Sequence, residues 1–194
     1  MSESHESVEL VGDETVQNLA LAALLAALTA ALAQVSLPMP GALPPVTLQT
    51  TAVFLAGLVL GVRWAGFSLV VYLLTGVAGA PVFAQGHAGL GTLLGSTGGF
   101  LLGYLLAATL IAAVVHRGLG TRPLSSVSTA TQVGAVCLGI VVIYVVGTPW
   151  MASVLGWSLE RAFTVMLPYL PGDLVEMVAV VALVRAGDLG ALTG

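Results

Sequence analysis

The sequence predicts an all-α, polytopic membrane protein: six transmembrane helices around an outward-facing binding pocket capped by loops. Three observations predict it. The 194-residue chain is 58% hydrophobic and only 7% charged, where soluble domains carry about 25% charged residues. Its apolar residues gather into runs close to the roughly 17–25 residues that a crossing helix needs. Its basic residues then sort to one side of the topology those runs define.

The elements follow in chain order. Residues 1–18 form an acidic cytoplasmic tail, since Glu3, Glu6, Glu9, Asp13 and Glu14 are five of the chain's nine acids. The first apolar run, about Leu19 to Val35, has no basic segment before it and no small-residue cleavage site, so it reads as a retained helix and not a leader. The second and third runs are short, about Thr47–Val62 and Trp64–Gly79. The fourth is long, Leu90–Val115, and the fifth is Val127–Gly147. The sixth starts near Phe163, is interrupted by Pro168 and Pro171, and resumes from Asp173 to Arg185. Residues 19–187 thus make one six-helix domain, and 188–194 a short C-terminal tail.

An even number of spans puts both termini on one side. Arg63, Arg117, Arg122 and Arg185 then share that side, and only Arg161 lies opposite. The positive-inside rule makes the arginine-rich side cytoplasmic. The chain has no lysine, and an acidic, lysine-free exterior suits solubility at high salt, which points to a halophilic source. The one cysteine, Cys137, excludes an internal disulfide and reads as a small buried thiol.

The outer links differ from the inner ones. "SLPMPGALPPVTLQ", "GAPVFAQGHAG" and "GTPWMASVLGWSLERAF" are long and hold most of the prolines, Trp150, Trp157, Gln49, Gln85 and His87. Long loops with amides and aromatics on one face point to a site opening there. "LPGDLVEM" opens the last helical segment with Asp173 and Glu176 three residues apart, on one face near the positive end of the helix. Ionisable groups at membrane depth are functional candidates by default. Gly91, Gly95, Gly99 and Gly103 recur every four residues and predict close helix packing. Two alanine rows on the first helix, Ala22–Ala26–Ala30 and Ala23–Ala27–Ala31, offer small faces, one for the bundle and one for a partner. No Ser–His pair, HExxH or metal-ligand cluster is legible, which argues against an intramembrane enzyme.

Three of these segments in order, "PPVTLQTTAVFLAGLVLG", "YLLTGVAGAPVFAQGHAGLGTLLGSTGGFLLGY" and "PYLPGDLVEMVAV", resemble the BioY family over roughly residues 20–186. That resemblance implies a six-helix substrate-binding component (S-component) of an energy-coupling factor transporter. It would bind biotin from outside, without a cofactor, metal or nucleic acid. A transmembrane T-component and two ATP-hydrolysing subunits would supply the energy, with the T-component docking on Ala22, Ala26 and Ala30. Two positions depart from the family: Ser96 stands where a proline is common, and Glu176 where a lysine is usual. An S-component for another small vitamin is the alternative these departures leave open. The candidate contacts are Gln49, Gln85, His87 and Asp173 for polar groups, and Phe83, Tyr144 and Trp150 for apolar walls. Glu176 and Arg161 are candidates for the charged end of the ligand. In this reading "PPVTLQTT" is a proline-stiffened loop that re-enters over the pocket, where its threonines and Gln49 meet the ligand.

Overall fold

The computed structural model describes residues 12–39, 43–118 and 120–187. The first helix, α1 (Asp13–Gln34), begins six residues before the expected start. The acidic stretch before it and the C-terminal tail from 188 lie outside the described residues. After α1 the chain makes a two-residue strand, β1 (Ser36–Leu37), which pairs antiparallel with β2 (Val46–Thr47), Ser36 opposite Thr47. The second strand follows Pro44 and Pro45 and delivers Gln49 to the start of α2 (Gln49–Val59). An extended Leu60–Gly61 corner turns the chain into α3 (Val62–Val77).

The fourth run is not one helix. It splits into a single short turn, α4 (Leu90–Leu94), and α5 (Gly98–His116). Gly95 is extended at the break, and a side chain at Gly98 would collide with the Leu93 carbonyl. The glycine row therefore has two roles. Gly99 and Gly103 let α5 lie directly on α6, against Trp150 and Ile143, whereas Gly91 and Gly95 belong to the cavity described below.

The fifth run is longer than expected. α6 (Thr129–Leu155) is capped by the Ser128 hydroxyl, continues through Pro149 and ends on a left-handed Gly156. The expected run stopped at Gly147, two residues before Pro149, whose ring removes a backbone donor from the helix. Packing of α6 along the whole of α5 outweighs that loss. The predicted outer link is therefore largely helix: α7 (Leu159–Met166), capped by Ser158, leads through one 3₁₀ turn to α8 (Leu170–Ala186).

Four stretches among the described residues are long and apolar enough to cross a membrane, namely Glu14–Gln34, Gly98–His116, Thr129–Leu155 and Leu159–Ala186. α2 and α3, the two runs already short in the sequence, fall below that length, so four of the six expected spans meet it among the described residues. α2 is the hub. It packs on α1, α5 and α8, and ten of its eleven residues turn to protein. At Gly57 a Cβ would lie 2.7 Å from the Ile111 Cβ and 2.9 Å from the Ala108 carbonyl oxygen of α5. With no side chain on Gly57, the Ile111 side chain and the Ala108 carbonyl of α5 pack directly on the backbone of α2.

The alanine rows of α1 are also resolved. Ala22 and Ala26 are 0% and 6% exposed and Ala30 is half-buried, while Ala23, Ala27 and Ala31 face outward. The row expected to dock a partner is the one that packs into the bundle. The reason is registry: α1 lies on α2 and α3, and helix residues four apart share a face, so only one row can face away.

Candidate functional site

The starts of α2, α5 and α8 and the middle of α6 converge at one end of the bundle around a cavity of about 580 Å³. Loop residues Pro44, Pro45 and Thr47 form part of its wall, and Phe83, Gln85 and His87 another part. Phe100, Leu101 and Ile143 make apolar surface, and Tyr104, Tyr144 and Tyr169 bring hydroxyls. Asp173 and Glu176 close the ring from α8.

Several of the polar side chains are held. Gln49, 3% exposed, donates from Nε2 to the Tyr72 hydroxyl at 2.6 Å and accepts at Oε1 from the Thr47 hydroxyl at 3.0 Å. Both ends of its amide are engaged, so it braces the loop against α3. Tyr72 in turn donates to the Val82 carbonyl at 3.3 Å and stacks edge-on against Phe83. Glu176 is buried, and its Oε2 accepts from Thr50 at 2.5 Å and from Thr51 at 2.7 Å. Asp173 accepts from the Tyr144 hydroxyl at 2.5 Å. Charge-assisted bonds of this kind are about twice as strong as neutral ones, which is how two carboxylates one turn apart are accommodated in one wall. The Tyr169 hydroxyl donates to the Pro44 carbonyl at 2.7 Å and ties the proline loop to the base of α8.

Seven of the nine candidate binding residues therefore line the cavity: Gln49, Phe83, Gln85, His87, Tyr144, Asp173 and Glu176. Trp150 and Arg161 do not. Trp150 lies behind the wall, where its indole N–H donates to the Gly95 carbonyl at 2.9 Å and pins the α4–α5 break. It is six residues beyond Tyr144, which on a helix is a different face. Arg161 stacks on Trp157, 4.2 Å from the ring centroid, and is exposed. The inward face of α7 carries Ala162 and Met166 instead.

The sequence reading missed Tyr72, Tyr104 and Tyr169. A signal was available. The chain has four tyrosines, and each lies in or beside an apolar run, where a phenol needs a polar partner. Three line the cavity and the fourth holds Gln49.

An all-α, multi-pass membrane protein with a carboxylate-bearing cavity at one end is built as a binder of a small solute. The chain belongs to the BioY family, whose model matches residues 3–189. It is 40% identical over 172 residues to the biotin transporter BioY of Rhodobacter capsulatus, covering 84% of this chain and 88% of that one. It is 35% identical over 178 residues to the biotin transporter BioY2 of Lactococcus lactis subsp. cremoris, covering 87% and 91%. Its fold matches the crystal structure of the S-component for biotin from an ECF-type ABC transporter, with a TM-score of 0.83 at 23% identity over 91% of this chain and 93% of that one.

Proposed function

We propose that this protein captures biotin as the substrate-specific S-component of an energy-coupling factor transporter. The carrying observation is the pair of carboxylates, Asp173 and Glu176, in a cavity of mixed apolar and hydroxyl-bearing walls beneath a threonine-bearing loop. Biotin's ureido group offers two N–H donors and one carbonyl acceptor on an apolar bicycle. Asp173 accepts an N–H, a tyrosine hydroxyl donates to the ureido oxygen, and Phe83, Phe100 and Ile143 contact the bicycle. Gln49 holds the loop in place over them. The names of the family relatives support the same ligand.

In this reading all six segments cross the membrane. α2 and α3 do so as short spans, because irregular backbone at membrane depth is tolerated where protein covers it. Both termini and four of the five arginines face the cytoplasm.

A ligand that binds only the folded state stabilises it by mass action. Biotin at a hundredfold excess over its Kd raises the stability of the detergent-purified protein by about 2.7 kcal/mol, read as a higher Tm. Riboflavin and thiamine leave the Tm unchanged. Stabilisation by either of those and not by biotin overturns the ligand.

A T-component and two ATP-hydrolysing subunits energise transport, and the free row Ala23–Ala27–Ala31 is the docking face on α1. Ala27→Trp then removes complex formation and uptake while biotin binding survives. Ala26→Trp, on the buried row, overpacks the bundle by about 1–3 kcal/mol and lowers its Tm. Intact complex with Ala27→Trp would move the docking face elsewhere.

A further inference from the structure

Biotin ends in a carboxylate, and the cavity has no lysine or arginine to receive it. The chain has no lysine, and all five arginines lie among the described residues. None of them lines the cavity. Arg63 starts α3, Arg117 and Arg122 follow α5, and Arg185 ends α8, where it donates to the Val127 carbonyl at 3.4 Å. All four are at the opposite end of the bundle from the cavity. Arg161 is committed to the face of Trp157. The cavity wall instead carries two acids. Both are engaged as acceptors: Glu176 takes two hydroxyl donors on one oxygen, and Asp173 takes the Tyr144 phenol. One lining side chain carries an imidazole, His87, and it sits exposed at the rim.

We infer that this cavity selects a ureido ligand whose chain ends in a neutral or cationic group, a biotin amide or amine-ended conjugate, over the free carboxylate, with Glu176 as the specificity-determining residue. The inference rests on the biotin reading above and names the form of that ligand. A carboxylate brought into a wall of two acids meets like charge in a poorly solvated site. A neutral amide adds no charge, and an ammonium gains a partner.

The test is a set of dissociation constants for the full-length protein in detergent, measured with biotin, biotinamide and biotinyl-ethylenediamine. The wild type binds biotinamide about thirtyfold tighter than biotin. That is the ratio given by roughly 2 kcal/mol, the repulsion of like charges ~8 Å apart at an effective dielectric of ~20. The amine-ended conjugate binds at least as well as biotinamide. Glu176→Gln shrinks the gap and Glu176→Lys reverses it. Biotin binding as tightly as biotinamide in the wild type overturns the inference and leaves the proposed function standing. So does a His87→Gln variant that loses biotin and keeps biotinamide, which would seat the carboxylate against His87. Failure of all three ligands to bind overturns the proposed function itself.

Discussion

Asp173→Asn is expected to weaken biotin binding ten- to hundredfold. The change keeps the shape of the side chain and removes its charge. Asp173 lines the cavity from the first turn of α8 and is oriented by the Tyr144 hydroxyl at 2.5 Å. A ureido N–H donating to it makes a charge-assisted bond, and hydrogen bonds to charged groups contribute about 1.5–3 kcal/mol. At 1.4 kcal/mol per decade this gives the stated range. Arg161→Gln is the matched control. That side chain stacks on Trp157 away from the cavity, so titration should return the wild-type constant. Equal affinities for wild type and Asp173→Asn would remove Asp173 from the ligand.

Gly57→Val is expected to have the largest effect on folding. Overpacking a membrane or soluble core costs about 1–3 kcal/mol and occasionally more, and Gly57 belongs at the upper end. The added Cβ would meet a backbone carbonyl, that of Ala108, at 2.9 Å as well as the Ile111 side chain. A carbonyl inside a helix cannot swing aside as a side-chain tip can. The contact also lies where the hub helix meets α5, so separating the pair disturbs the cavity wall built from both. Monodisperse yield and Tm in detergent measure it, beside Gly134→Val on α6, where an added Cβ meets nothing within 4 Å. Gly57→Val behaving like Gly134→Val would mean that the two backbones do not touch.

The long elements were legible because apolar length alone signals them. α1 and the bodies of α5 and α6 follow runs that hydropathy reads directly. Asp173 and Glu176 were legible for the opposite reason, since a charge inside such a run is costly and demands an explanation. What the sequence hid was set by three-dimensional contact. The break at Gly95–Thr97 looked like continuous helix because its glycines fitted the packing row on either side. The extension of α6 through Pro149 to Leu155 was not anticipated, because the support that α5 gives α6 is not written locally. Arg161 and Trp150 had suitable chemistry, but helix phase turns them from the cavity. The partner of Glu176 was equally invisible, since Thr50 is 126 residues away in the chain.

The shortness of α2 has a consequence for how far a bound solute still has to travel. The helix starts at the cavity, with Gln49 and Thr50 in its wall, and its eleven residues end beside the corner that leads to Arg63. Eleven residues rise about 17 Å, against a hydrocarbon thickness of about 30 Å. In the proposed topology, with the inner end of α2 at the cytoplasmic boundary, a molecule resting on Thr50 would lie near the middle of the permeability barrier, with roughly half of the crossing accomplished by binding alone. The energised subunits of the proposed transporter would then have to open a passage past one short, protein-covered helix, a distance of three turns.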